Sequence, residues 1–427
     1  MYLNTFLYYF GLDPEDFINE ISEPIRSDDG TIIYNLRQRT DIRICPECGC
    51  VEGIINDYFY TNTKFTSNSG LKTIIHIKKV RFKCKACGKT FTPSITGIDR
   101  YAKLSDHSFS LLKKEFNTTK TFSDLGEEYQ MTNSRVMQIF DETYPYVKRN
   151  ELPEALCIDE ISFKTEDGCY ACVLYNHNQR SIVDVLRNRQ QSYLRDYFSH
   201  CSFYERKNVK IFISDLYEGY ASIKEEFFPS AIHIADLFHV IRLLTHEISS
   251  LRVQTIKQFT EEGDLERYFM KTHWMLFECN MSSDMLKKPF YSRKEKATYT
   301  YWGIMQRCLQ LNMDFWEAYS CLQSFYEYWH FNSFENAKNE LTRICNKLRN
   351  TGNENLIRVA TTYKRWSTEI CNSFTVKNIE GKRYSNGPAE GLNSLIKTLI
   401  KDANGYRNFE RFRKKVLLVL NKGKDLS

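Results

Sequence analysis

The sequence contains no apolar run approaching the roughly 20 residues that a membrane span requires. It has no internal repeat and no low-complexity tract. The segment Met1–Phe10 lacks the basic stretch and cleavage site of an export signal. A soluble, cytoplasmic protein with no membrane partner is the expectation. Nor is there a large charge imbalance, since 59 Lys and Arg against 53 Asp and Glu leave a net charge of +6. The missing export signal also argues against a disulfide framework among the 14 cysteines and favours a metal site.

What the chain does have is length and apolar content. At 427 residues, 42% hydrophobic and 14% aromatic, it can bury two or three domain cores. Its cations are clustered. Residues 72–103 carry nine, among them Lys78, Lys79, Arg81 and Lys83, against the single acid Asp99. Residues 397–424 carry nine more, beginning with Lys397, against Asp402 and Glu410. Two such blocks suggest two surfaces that meet phosphate, although solvated surface charge produces the same pattern.

The periodicity changes along the chain. A short helix around Pro14–Ile21 and strands at Thr31–Arg37 and Thr73–Phe82 come first. Residues 105–148 take helical spacing. Short β-rich runs follow at Ala155–Phe163, Cys169–Tyr175, Ser181–Leu186, Val209–Ser214 and Ala231–Ala235, with helices at Gln191–Phe198 and Tyr217–Phe227. Three strands in succession, then strand and helix in alternation, predict a mixed sheet covered by helices. From Val240 to Arg383 the pattern is helical throughout. All five tryptophans (Trp274, Trp302, Trp316, Trp329, Trp366) fall there, which predicts a separate helical unit with its own core.

Cys45-Pro-Glu-Cys48 and Cys84-Lys-Ala-Cys87 are two tight turns, each followed by a glycine, Gly49 and Gly88. Two such knuckles make a closed four-cysteine site of the kind that suits structural zinc, although the 35-residue spacer exceeds that of a compact ribbon. Cys50 is a spare thiol beside them. Further on, Thr121–Gln130 and Thr132–Thr143 read as two helices joined at Met131, with Thr132 as an N-cap. The second would present Asn133, Ser134, Arg135 and Gln138 to bases and phosphates. The glycine usual in a helix-turn-helix is replaced by Gln130, and a plain helical linker fits these residues equally well.

Three acids stand out. Alternation along Leu156–Phe163 puts Asp159 and Glu160 on opposite sheet faces, and Asp215 ends the apolar run Val209–Ser214. An acid at the mouth of an apolar strand is costly unless solvated or metal-bound, though a cap or ion pair is the ordinary explanation for one alone. Glu390 lies in the first turn of a helix opened by Asn386 or Gly387 and Pro388. Leu392, Leu395, Ile396 and Leu399 form the expected buried stripe of that helix, and Glu390, Asn393, Ser394, Lys397 and Lys401 its polar stripe.

These segments together resemble the ISL3 family of bacterial insertion-sequence transposases over nearly the whole chain. Cys45–Phe91 resembles its zinc module, Ile158–Phe163 its first catalytic strand, and Ser214–Tyr220 its second-aspartate block. Asp236-Leu237-Phe238-His239 resembles its Asp-x-x-His block, and Ser385–Asn393 followed by Gly405–Phe409 is the most specific match. The resemblance implies a DDE transposase that cleaves and joins DNA at terminal inverted repeats. It carries the catalytic triad onto Asp159, Asp215 and Glu390, holding Mg2+ or Mn2+, with zinc on Cys45, Cys48, Cys84 and Cys87. DNA contacts are expected from Lys78, Lys79, Arg81, Lys83, Asn133, Ser134, Arg135, Gln138 and Lys397. Asp236 and His239 would position DNA or a flipped base, or form a structural pair.

The expected architecture is an α+β and α/β multidomain chain. It comprises a zinc-binding DNA-binding domain (1–104), a helix-turn-helix-like domain (105–150), a first RNase H-like part (151–239), an all-helical insertion (240–383) and C-terminal catalytic helices (384–427). Double-stranded DNA, as transposon end and target, is the expected partner, with a homodimer or larger synaptic assembly associated with the nucleoid. The alternatives are a transposase-derived DNA-binding regulator without catalysis, and an RNase H-type nuclease without strand transfer.

Overall fold

The computed structural model describes residues 7–18, 23–41, 43–68, 71–99, 102–165, 168–259, 264–293, 295–327, 333–385 and 387–421. The chain divides into two compact units, residues 1–148 with 396–427 and residues 149–395. Among the described residues no helix is long and apolar enough to cross a membrane.

The first unit is built on strands β1 (Ile25–Arg26), β2 (Ile32–Arg37), β3 (Gly53–Asn68), β4 (Leu71–Cys84) and β5 (Thr90–Phe91), in the order β1-β2-β4-β3 with β5 also on β4. Hairpin β3/β4 is much longer than the run Thr73–Phe82 suggests, and β2 joins it in parallel. Along β4 the buried side chains are Thr73, Ile75 and Ile77, then Lys79, Val80, Phe82 and Cys84. The inward phase switches at Lys79/Val80, close to the register shift between Ile55 and Asp57 of β3. That switch leaves Lys79 on the inside. The expected helix at Pro14–Ile21 is a single 3-10 turn at Pro14–Asp16, and residues 19–21 lie outside the described set.

Helices α1 (Asp106–Glu115), α2 (Phe122–Glu128) and α3 (Asn133–Thr143) follow in the same unit. Thr121 caps α2 in a reciprocal box with Asp124, and Thr132 caps α3. The turn between them carries Gln130 at φ +54°. Its side-chain amide donates to the carbonyls of Phe65 and Thr73, and its own carbonyl accepts from Lys64 at 2.7 Å. Three bonds to the hairpin hold a residue in the conformation where glycine is usual.

The second unit holds strands β6 (Ala155–Thr165), β7 (Gly168–Asn176), β8 (Ser181–Leu186), β9 (Ile211–Ser214) and β10 (Ile232–Ala235), ordered β10-β9-β6-β7-β8. The first three pair antiparallel; β9 lies parallel to β6 and β10 parallel to β9. Strands β8 and β9 are buried at every position, which explains their apolar content; the charged exception within β8, Asp184, accepts from the Tyr197 hydroxyl. Helices α4 (Gln191–Ser199), α5 (Phe203–Asn208) and α6 (Glu218–Phe227) connect them.

A helical segment then begins at Leu237, directly from β10: α7 (Leu237–Ile256), α8 (Leu265–Thr272), α9 (Tyr301–Gln310), α10 (Met313–Glu327), α11 (Phe334–Asn350), α12 (Glu354–Arg365) and α13 (Ser367–Thr375). It is not all helical. A hairpin of β11 (Pro289–Ser292) and β12 (Ala297–Thr300) interrupts it, because Pro289 cannot enter a helix interior and the aromatic pair Phe290–Tyr299 aligns across the strands. Its core is a cluster of its own, distinct from that of the sheet. One apolar cluster runs from Ala235 of β10 through α7 to Phe374, and α13 is bonded to β10 through Ser373 Oγ to the Ala235 carbonyl. Leu, Ile and Phe dominate that core. Among the tryptophans Trp366 is buried, Trp302 and Trp316 pack at its edge, Trp274 is exposed, and Trp329 lies outside the described residues.

Helix α14 (Gly387–Asp402) contributes residues to both units, and α15 (Phe409–Leu420) belongs to the first. The basic block expected to meet phosphate is here partly spent internally. Arg411 and Lys414 both bind Asp141, Arg413 donates to the Val147 carbonyl, and buried Lys415 donates to that of Phe116.

Candidate active site

The pairing register brings three aspartates side by side, Asp159 within β6 and Asp215 and Asp236 just past the ends of β9 and β10. The β6/β9 ladder ends at Cys157↔Ile213, and Asp159 and Asp215 each lie two residues beyond. The β10/β9 ladder ends at Ala235↔Ser214, one residue before Asp236 and Asp215. The Asp236 N–H still donates to the Ser214 carbonyl at 2.8 Å, so the ladder carries on to this point. With a side-chain period of two, Asp159, Asp215 and Asp236 share one face. Asp159 is 9% and Asp236 3% exposed.

Their charges feel one another. Burial pushes Asp215 up to about 6, Glu160 and Asp159 add to the rise, and His239 opposes it. Burial likewise pushes Asp236 up to about 6, opposed by His239 and reinforced by Asp159 and Glu390. His239 Nε2 stands 3.7 Å from Asp236, which also caps α7 by accepting from the Phe238 N–H. Glu160 points to the other face, where both its oxygens take Arg189 at 2.7 Å and one takes the Tyr220 hydroxyl.

Helix α14 reaches the cluster through Asn393. Its side-chain N–H donates to Asp159 Oδ2 at 2.8 Å, and its oxygen accepts from the buried Tyr175 hydroxyl. Glu390 lies one turn earlier and is exposed, lining a cleft of about 600 Å³ with Asp236, Phe238, Lys377, Lys382 and Arg383. The buried stripe of α14 is therefore Ala389, Asn393, Ile396 and Leu399. Leu395, expected inside, is exposed, because the bonds to Asp159 and Tyr175 turn Asn393 inward instead. Asn386 lies outside the described residues. Asn393, Tyr175 and Arg189 were absent from the sequence-derived site. The only available signal was the i, i+3 spacing of Glu390 and Asn393.

The four cysteines meet. Among the described residues the sulfurs of Cys45, Cys48, Cys84 and Cys87 form the one group of such ligands whose atoms all lie within 4.8 Å of each other. Cys45–Cys87 and Cys48–Cys84 are 3.8 and 3.6 Å apart. A tetrahedral zinc about 2.3 Å from each thiolate sets its ligands about 3.8 Å apart, so the cluster can hold zinc. The two knuckles match: Gly49 donates to the Cys45 carbonyl and Gly88 to that of Cys84. Those glycines adopt φ +72° and +71°, with no protein atom within 4 Å of an added Cβ. Conformation, not crowding, requires glycine there. The N–H groups of Cys87 and Ala86 hold the Cys84 thiol down to about 6. Cys50 stands outside the group and accepts from the Glu52 N–H.

Of the other expected DNA contacts, Asn133, Ser134, Arg135 and Gln138 are on α3 and all four are exposed, with Arg135 and Gln138 both near Glu142. Lys83 and Lys397 are exposed; Lys78 lies over the Tyr58 ring, and Arg81 is 3.4 Å from Asp57. Lys79 is 7% exposed, and desolvation lowers its pKa, so it is poorly placed to meet phosphate.

The mixed sheet thus carries Asp159, Asp215 and Asp236 side by side where the ladders of β9 end. The profile of the ISL3 transposase family, described as transposase, matches residues 156–416, more than half of the chain. The chain belongs to that family. No curated protein matches it. As a transposase it acts on DNA.

Proposed function

We propose that the chain cuts and joins DNA strands at the ends of an insertion sequence, with Asp159, Asp215 and Glu390 as its metal-holding carboxylates. The observation that carries this is the alignment of Asp159, within β6, with Asp215 just past the end of neighbouring β9, beside Asp236, whose carboxyl feels Glu390. The strand order, with the fourth strand beside the first, is that expected of an RNase H-type domain. The donor chemistry suits a hard divalent cation, since it is carboxylate oxygen with Arg189 committed to Glu160. A bound ion would have to draw the acids together, because among the described residues no three of them bring ligand atoms within 4.8 Å of one another. Bound Mg2+ or Mn2+ supplies polarisation of a phosphoryl oxygen and acidification of the attacking hydroxyl. Asp159 is oriented by Asn393, and His239 offsets the charge of Asp236 and Asp215. Cleavage and joining are the same in-line displacement with different nucleophiles, water first and the freed 3′-hydroxyl second, so one site serves both. The zinc module and α1–α3 recognise the terminal repeats, and pairing two ends calls for at least two copies of the chain. Incubation with DNA carrying the element's own end, with and without Mg2+, tests the reading. Binding without cleavage would leave a DNA-binding regulator, and cleavage without joining a nuclease.

Two further results are expected. Asn393→Ala raises the Mg2+ concentration for half-maximal nicking roughly 10–100-fold, the usual effect of losing a partner that orients a metal-holding group. An unchanged Mg2+ dependence would reduce Asn393 to packing. The second concerns pH. Asp215 and Asp236 bind protons more tightly folded than unfolded, with pKa values raised from 3.8 to about 6. In the metal-free protein their contribution to stability is present below about pH 4 and lost as pH rises through about 6. Mg2+ should therefore raise the melting temperature above about pH 7 and have little effect near pH 5. Equal shifts at both would place the ion elsewhere.

A further inference from the structure

Beside Asp215 lies a second cleft, of about 560 Å³. Helix α7 lines it with His239, Arg242 and His246, and α12 with Asn355, Arg358 and Thr362. Each set follows i, i+3, i+7 spacing, so each is one helix face. Leu243 and Val359 add apolar lining. Among the described residues the exposed Arg242 guanidinium makes no ion pair or hydrogen bond. Arg358 stands 3.9 Å from Glu354, both largely exposed, a pair worth little, and donates to Asn355 Oδ1 only at 3.5 Å. Arg189, at the same cleft, is by contrast held by Glu160. Two weakly held guanidinium groups on two helices, with amide, hydroxyl and imidazole groups beside them, suit a repeating phosphate chain. A single small anion would need its donors gathered at one point.

We propose that this cleft seats the sugar–phosphate backbone of one DNA strand next to the reacting phosphate, through Arg242 and Arg358 and without reading sequence. The proposal rests on the transposase reading for the identity of the polyanion. Glu247 lines the same cleft and opposes the strand, and Asp215 marks its reacting end.

The test is photocrosslinking of the full-length protein to an oligothymidylate carrying 4-thiothymidine, with adducts mapped by mass spectrometry. Adducts are expected on the peptides holding residues 239–247 and 355–362. In the double variant Arg242→Ala/Arg358→Ala those adducts fall at least about fivefold, while adducts in residues 1–148 persist. The log–log salt slope of binding falls by about 1.4, at about 0.7 per phosphate contact to a single strand. Glu247→Gln raises the yield, a gain that misfolding cannot mimic. Absence of adducts from both helices of the wild-type chain, or a double variant that crosslinks there as the wild type does, overturns the proposal. Asp159→Asn separates the two readings: it should crosslink normally and not nick. Nicking by that variant would sink the catalytic assignment and leave the cleft to be judged on its adducts.

Discussion

Glu390→Gln is expected to lower Mg2+-dependent nicking by at least about a hundredfold, with DNA binding and melting temperature nearly unchanged. Glu390 is exposed in the first turn of α14, so its loss removes no core contact. Its charge nevertheless reaches Asp236, which joins it to a cluster that also raises Asp215. Removing one carboxylate weakens the hold on a divalent cation and leaves the charge of the scissile phosphate unopposed. Asp159→Asn should be as severe for activity, because Asn393 would then donate to an amide and the orienting bond would be compromised. Nicking is read on supercoiled DNA carrying the element's end, and binding on the same DNA without metal. Normal nicking by Glu390→Gln would transfer the third carboxylate's role to Asp236, which already stands at the strand ends.

Removal of zinc should have the largest effect on the first unit. One zinc per chain is expected by elemental analysis, lost in Cys84→Ser and retained in Cys50→Ser. The apolar cluster around the knuckles is small: Cys45, Val80, Phe82, Cys84 and Phe91. Full burial of a Val or Phe side chain contributes about 1.5–3 kcal/mol, whereas structural zinc binds with about 10–16 kcal/mol. Metal, not apolar packing, is therefore expected to hold the end of the β3/β4 hairpin together. A chelator should abolish end recognition and expose the hairpin to proteolysis, while residues 149–395 keep their far-ultraviolet signal. Unchanged end binding after zinc is stripped would show that α3 alone reads the repeat.

Much of this was legible in local sequence. The two knuckles announced themselves because ligand spacing within a tight turn is a local property. The sheet strands of the second unit were found nearly to the residue, since double-sided burial makes such strands mostly apolar. Asp159 and Glu160 were assigned opposite faces from alternation alone, and Arg189 on Glu160 and Asn393 on Asp159 occupy those faces. Where the reading failed, a distant partner decided. Leu395 and Asn393 exchanged places on α14 because Asn393 finds buried hydrogen-bond partners more than two hundred residues away. Lys414 and Lys415 belong to the basic block expected to meet phosphate, yet they are bonded to Asp141 and to the Phe116 carbonyl.

By itself, then, the sequence determined whatever depends on neighbours along the chain. That covers the cysteine knuckles, the strands of the second unit, the Thr132 cap, and the acids worth considering as a site. Only the tertiary structure decided which of those acids stand together, that Asp236 joins them, and that Asn393 is the link from α14 to Asp159. It also decided that the tryptophan-rich segment, with a core of its own, is joined to the sheet through Ala235 and Ser373. The reason is physical. Spacing of two or 3.6 residues specifies which face a side chain takes, but the pairing of β6 with β9 and β10, and the burial of one polar face of α14, are set by contacts between segments far apart in sequence.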